Sequence, residues 1–232
     1  FGKSTGETFT ALLAAMEKVE GLRRLRMGSV EPNLLTDEII SLVAASPVIM
    51  PHFHIPLQSG SDGMLALMKR KYSTELFATR IAEIRKKLPQ AFIGVDVIAG
   101  MNGETEQMFL DSYDFLNSLE ISQLHAFPYS ERSGTKAPEI PLKVSREERK
   151  QRTRHYINLS EKKLRAFYEN NLGSSRSVLF EEPTSDKRME GFTDNYIRVE
   201  TAFMPERISE IHNVRLGSIQ KNGNVSGEIS VK

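Results

Sequence analysis

The stretch AFIGVDVIA, residues 91–99, decides the fold. Its only polar side chain is Asp96, and apolar and polar residues do not alternate along it. A strand that is apolar on both faces lies between two layers, as in a parallel sheet covered by helices. The turn GMNGE follows at 100–104, and 104–119 then reads as a helix with Met108, Phe109, Tyr113, Phe115, Leu116 and Leu119 mostly inward. Strand, glycine turn and helix in that order form one step of a β/α repeat.

The same step recurs on both sides. Upstream, 22–29 (LRRLRMGS) alternates in part and exits into Val30-Glu31-Pro32-Asn33, and a capped helix follows over 36–45. PHFHIPLQSGSD (51–62) carries the next strand at 52–57, with helices expected over 62–68 and 74–88. Downstream, 121–127 (ISQLHAF) is a fourth strand. Four alternations of this length mean a parallel sheet with right-handed crossovers. The pattern fits a doubly wound sheet and part of a barrel equally well.

At the start of the chain, Ser4-Thr5-Gly6-Glu7 reads as a capping box ahead of Phe9, Leu12, Leu13 and Met16, so a helix is expected over 8–18 and the chain begins mid-fold. After Phe127 a segment rich in Ser, Pro and Gly leads to Ser145-Arg146-Glu147-Glu148, a second capping box that opens a helix running to Asn171. Nine Lys/Arg against three acids fall between 143 and 165, the one strong charge asymmetry of the chain. Residues 174–232 show no helix signal. Short β-type runs at 177–180, 196–200, 211–216 and 225–231 are separated by turns at 184–186, 193–195 and 222–224, which describes a small antiparallel barrel of OB-like size.

Composition limits the function classes. Of 232 residues 39% are hydrophobic and 26% charged, and the net charge is +1, so no global field draws the chain to nucleic acid or membrane. No apolar run approaches the ~20 residues of a membrane span. Cysteine is absent, so chemistry that needs thiolates is not done by these residues alone. No signal peptide is visible, and a cytoplasmic location is the simpler expectation.

Ligand sites in parallel α/β folds form where strands meet their exit loops. The four exits offer Ser29, Glu31 and Asn33; Gln58, Ser59, Ser61 and Asp62; Asp96 with the Gly100–Glu104 turn; and His125 with Tyr129, Ser130, Glu131 and Arg132. Polar groups at four equivalent places point to one ligand cleft. Alternation puts His52, His54, Pro56 and Gln58 on one side of their strand. His-x-His supplies only two metal ligands, so a satisfied histidine pair is the better reading, and neither a metal site nor a Ser/His/Asp constellation can be assembled. Asp96 inside an apolar strand costs several kcal/mol unless paired or ligand-bound. The 100–104 turn lacks the P-loop and dinucleotide fingerprints, and Arg70 in KRK fits a solvated cluster as well as a carboxylate clamp.

The strings SVEPNLLTDEII, PHFHIPLQSGSD, MKRKYSTELF, DVIAGMNGETEQMF and LHAFPYSERSGTKA, in this order and spacing, resemble the radical S-adenosylmethionine (SAM) methylthiotransferases, and VLFEE…GFTDNYIRVE resembles their terminal TRAM domain. LHAFPYSERSGT is most similar to the branch that modifies threonylcarbamoyladenosine at tRNA position 37. The resemblance implies a partial (β/α) barrel, its first strands missing, over 1–172 and a TRAM-like RNA-binding barrel over 173–232. It implies SAM bound by Glu31, Gln58, Arg70, Asp96 and Gly100, with Arg70 on the methionine carboxylate and Tyr129 and Arg132 on the rim near the target base. The TRAM domain, with the basic helix, would hold the tRNA. Family enzymes carry two [4Fe–4S] clusters on cysteines that precede this segment. On that reading this piece ligates neither cluster, has no catalytic residue of its own and is inactive alone. The full-length enzyme would cleave SAM reductively, with electrons from a donor, and install a methylthio group at adenine C2. The polypeptide is expected to be a monomer or weak dimer with no membrane partner. The alternatives are isopentenyladenosine in tRNA, a ribosomal-protein aspartate, from whose expected acidic rim Arg132 departs, and a non-catalytic RNA-binding protein.

Overall fold

The computed structural model describes residues 2, 4–132, 134–184 and 187–230. It divides into two compact units, Phe1–Lys163 and Leu164–Lys232.

The first unit is built on three parallel strands in the order β1 (His52–His54), β2 (Phe92–Ala99) and β3 (Gln123–Pro128). Helices α3 (Asp62–Leu67) and α4 (Thr74–Lys87) connect β1 to β2, and α5 (Glu106–Ser118) connects β2 to β3. Register sets His54 beside Gly94 and Asp96 beside His125. Two faces result. Phe53, Ile55, Ile93, Val95, Val97 and Leu124 are buried in the apolar core with the helices. His52, His54, Asp96, Ile98 and His125 lie on the other face and are only partly buried.

The segment 22–29 does not form the expected strand. It makes single parallel bridges, Leu25 to Ile49 ahead of β1 and Ser29 to His54 within it. It lies beside β1, and Gly28, with no side chain to pack, weakens a continuous ladder. Helix starts follow their caps. The hydroxyls of Thr8, Thr36, Ser73 and Thr105 accept the N–H three residues on and open α1 (Phe9–Met16), α2 (Asp37–Ala45), α4 and α5. The Ser4–Glu7 capping box is therefore not realised; Thr8 does the capping, and Glu7 accepts from the Thr5 hydroxyl instead. The second capping box is realised in full. Ser145 N–H donates to Glu148 and Glu148 N–H to Ser145 Oγ, opening α6 (Arg146–Glu169).

α6 is less of a basic face than its composition implied. The Arg152 side chain is only 10% exposed and pairs with fully buried Glu104 at 2.8 Å. Arg149 donates to Asn102 Oδ1, and Lys163 donates to the carbonyls of Asn117 and Leu119 at the end of α5. These cations hold the unit together.

The second unit is a closed five-stranded barrel in the order β4 (Ser175–Thr184), β5 (Arg188–Thr193), β6 (Arg198–Ala202), β8 (Val225–Ile229) and β7 (Ile211–Ile219). The expected four antiparallel runs become five strands. β5 escaped notice because Glu190-Gly191 interrupts its apolar pattern. Gly191 is required there, since a Cβ would come within 2.2 Å of the Leu179 carbonyl oxygen on β4. β6 and β8 pair in parallel, because an odd number of strands cannot alternate direction all the way round a closed ring. A short 3₁₀ turn at Pro205–Arg207 adds helix where none was expected. Ser185 and Asp186 of the expected 184–186 turn, Val231 of the last run and Ser133 of the expected rim lie outside the described residues.

Candidate functional site

A cleft of about 730 Å³ opens at the C-terminal ends of the three parallel strands. Gln58, Arg70, Asp96 and Arg132 supply its polar wall, and Met68, Ile98, Met101 and Phe127 its apolar one, with Tyr129 and Ser130 at the β3 exit. The volume suits a small-molecule ligand.

Gln58 holds its place through the backbone. Its N–H donates to the Asp96 carbonyl and its own carbonyl accepts from Ile98, both at 2.9 Å, so the residue after β1 is stitched to β2. Its φ of 74° is left-handed, which costs a non-glycine residue on the order of 1 kcal/mol. Tyr72 braces the same corner: its buried hydroxyl donates to the Pro56 and Leu57 carbonyls, and burial pushes the phenol up to about 12.

Asp96 receives a hydrogen bond at 2.7 Å from His54 Nε2, and the His54 Nδ1 lies 2.7 Å from Ser29 Oγ. The Ser–His–Asp chain that could not be assembled from the sequence therefore exists, because β1, β2 and the edge segment come together here. Both nitrogens of His54 are engaged. Burial holds the imidazoles of His52 and His125 below the ordinary range, His52 at about 4.

Arg70 lines the cleft, and its Nη1 already donates to Glu31 Oε1 at 3.1 Å. Glu31 reaches the cleft through Arg70 and is not itself part of its wall. Gly100 also lies beside the cleft. Its N–H donates to Glu104 Oε2, and a Cβ there would come 2.5 Å from Arg149 Cγ, so its left-handed φ of 74° and close packing against α6 demand glycine. Met101 is the residue of that turn in the cleft wall. Glu104, expected in the first helical turn, is instead buried beneath it, and desolvation pushes its carboxyl up. Asp62 is occupied in accepting from the Thr74 N–H and hydroxyl.

Tyr129 extends the sheet by donating its N–H to the Ala99 carbonyl, and Arg149 lies 5.0 Å above its ring. Burial, with Glu131 second, raises its phenol. A second groove of about 470 Å³ shares the wall Pro128–Ser130 with the cleft and is lined beyond it by Glu131, Arg146, Arg149 and Lys150. Phe127, 52% exposed, and Tyr72 were missed from the sequence; the parity of 121–127, which puts Phe127 on the face of His125, was the available signal for the first.

The family model described as the Radical SAM superfamily matches residues 4–116. A Bacillus subtilis protein named threonylcarbamoyladenosine tRNA methylthiotransferase MtaB is 37% identical over 213 residues, covering 90% of this chain and 47% of the relative. Its namesake from Aquifex aeolicus is 36% identical over 200 residues, covering 86% and 47%. An Aliarcobacter butzleri protein named tRNA-2-methylthio-N(6)-dimethylallyladenosine synthase is 34% identical over 227 residues, covering 96% and 51%. The chain spans about half the length of the curated relatives it matches. Among solved structures, the Escherichia coli coproporphyrinogen III oxidase HemN, described as a radical SAM enzyme, superposes with a TM-score of 0.56 at 11% identity over 84% of this chain and 56% of its own. That likeness is one of fold alone.

The family implies SAM and [4Fe–4S] clusters as cofactors. The cleft fits the first: carboxylate and amide acceptors, a guanidinium and an apolar wall match the hydroxyls, carboxylate and adenine of SAM. The clusters have no thiolate here, since the chain contains no cysteine, and the described residues offer no group of three His, Asp or Glu able to hold a metal. By sequence, the chain is similar to the radical SAM methylthiotransferases, with the Bacillus subtilis and Aquifex aeolicus relatives named for threonylcarbamoyladenosine.

Proposed function

We propose that this chain is the SAM-binding and tRNA-binding part of a methylthiotransferase that modifies C2 of N6-threonylcarbamoyladenosine at position 37 of tRNA. The observation that carries the reading is the meeting of Gln58, Arg70 and Asp96 in one cleft at the mouths of parallel strands. Asp96 and Gln58 accept from ribose hydroxyls, and Arg70, with Glu31 keeping its guanidinium in place, faces the methionine carboxylate. Met101, Ile98 and Met68 exclude water from the adenine. SAM supplies the radical chemistry of the family, and the iron–sulfur clusters and electron donor this requires come from outside these residues.

Phe127 and Tyr129 offer aromatic surface to the target base, with Arg132 at the rim. The adjoining groove, with Arg146, Arg149 and Lys150 against Glu131, suits a neighbouring phosphate of the RNA. The barrel is read as the TRAM domain, giving domains 1–172 and 173–232, and as a holder of the tRNA through local groups, for its sequence carries eight basic against nine acidic residues. The protein then works in the cytoplasm with tRNA; among the described residues no helix is long and apolar enough to cross a membrane. Dimethylallyladenosine is the second reading, favoured by the Aliarcobacter butzleri relative.

Calorimetry with SAM tests the cofactor half: Asp96→Ala should weaken binding by about 1–3 kcal/mol, and unchanged affinity removes Asp96 from the site. Mass analysis of tRNA nucleosides from cells lacking the gene tests the other half. Loss of the methylthio group from threonylcarbamoyladenosine supports the first reading, and loss from the dimethylallyl nucleoside moves the protein to the second.

A further inference from the structure

The polar chain behind the cleft has a direction. Ser29 is exposed on the edge segment, bridges His54 in parallel and places its Oγ 2.7 Å from His54 Nδ1. His54 Nε2 lies 2.7 Å from Asp96 Oδ1. The His125 ring stands edge-on to His54, with centroids 5.4 Å apart and planes at 83°. Gly94, paired with His54 across the ladder, leaves space between the two imidazoles, since a Cβ there would meet both rings at 3.5 Å.

An ionised carboxylate only accepts, so Nε2 must carry the proton in the His54–Asp96 bond. In the neutral ring Nδ1 is then the acceptor, and it takes the Ser29 hydroxyl proton. Asp96 thereby selects the tautomer, and the Ser29 hydroxyl, able to donate or accept, holds the other side of the ring. With Oδ1 committed to His54, the other carboxylate oxygen is left for the cleft that Asp96 lines.

We propose that His54 is a positioning residue: paired as its Nε2–H tautomer with Asp96 and held at its far nitrogen by Ser29, it orients the Asp96 carboxylate so that Oδ2 accepts from the hydroxyls of a bound nucleoside. The proposal rests on the reading of the cleft as a nucleoside site. It gives the histidine of HIPLQSG a role apart from metal binding, and a role to the edge serine 25 residues before it. The ring is held from both ends, the arrangement by which outer-shell partners orient histidines elsewhere.

Two measurements on this chain separate the possibilities. Nitrogen-15 shifts of the imidazoles should show His54 as the Nε2–H tautomer, Ser29→Ala should keep it, and Asp96→Ala should mix the two tautomers. Calorimetry with SAM should show His54→Ala about tenfold weaker, the size of one lost charge-assisted hydrogen bond. His54→Gln should recover most of that loss, because its amide N–H reaches the same oxygen. Melting curves of all four variants check that each is folded. A wild-type Nδ1–H tautomer overturns the proposal whatever SAM does. If Asp96→Ala weakens binding while His54→Ala does not, the proposal falls and the cleft stands. If Asp96→Ala is also silent, or the wild type does not bind SAM, the cleft reading falls and the proposal with it.

Discussion

The parallel sheet and the barrel both carry buried or half-buried acids, and they use them differently. In the barrel, Glu200 is 5% exposed and accepts from Arg188, Asn222 and Asn224 at 2.7, 2.6 and 3.3 Å. Asn224 also donates to Glu190, which pairs with Arg198. The polar groups close on one another. In the sheet, Asp96 has one donor, His54, and otherwise borders a hollow. Glu104, 2% exposed, is held through Oε2 by Arg152 and the Gly100 N–H. A carboxylate buried against protein donors holds a fold together, whereas one that borders a hollow is left available to a ligand.

Removing Arg152 breaks the sheet unit at its most costly point. Arg152→Ala leaves Glu104 buried with one N–H donor, and a loss of about 3–5 kcal/mol is expected in denaturant unfolding. A loss below 1 kcal/mol would place water beside Glu104 and end the contrast with the open cleft.

The next effect is a pH dependence. Burial lowers the His52 imidazole from 6.5 to about 4. Between those values the unfolded chain binds a proton that the folded chain refuses. Stability is therefore complete above pH 6.5 and falls as the pH drops toward 4, by about 3 kcal/mol at most. His52→Gln should flatten that limb of a melting-temperature profile; an unaltered slope assigns it to other groups.

In the barrel, Glu200→Ala leaves buried Asn224 with only Glu190 to accept from its amide, while exposed Asn222 and half-exposed Arg188 turn to water. About 1–3 kcal/mol should be lost, less than for Arg152→Ala. Equal losses would mean that both networks are equally dry. The smallest effect has two signs. Gln58→Gly relieves a left-handed residue and should leave the melting temperature level or raise stability by roughly 1 kcal/mol. SAM affinity should fall, because the carboxamide in the cleft is gone. A fall in both would make Gln58 a structural residue.

Much of this was legible in order along the chain. The apolar run of β2, the spacing of the strands and the Ser145–Glu148 capping box required no tertiary information, because period and capping are local. Gln58, Asp96, Tyr129 and Arg132, expected at the strand exits, and Arg70, expected from the family resemblance, line one cleft. Glu31 and Gly100 sit beside it, since Glu31 pairs with Arg70 and Gly100 packs on Arg149. Both placements depend on side chains 39 and 49 positions away, which no local pattern contains. The fifth barrel strand was hidden for a related reason: its glycine answers to a carbonyl on β4.

The sequence alone determined a parallel α/β unit followed by a β unit, the family strings and the want of any thiolate, for these are properties of composition, period and order. Only the tertiary structure decided which polar groups are tied to partners and which face the cleft. It brought Ser29, His54 and Asp96 into one hydrogen-bonded chain and turned Arg149 and Arg152 of α6 inward. A hydrogen bond between strands acts over about 3 Å in space, and separation along the chain carries no record of it.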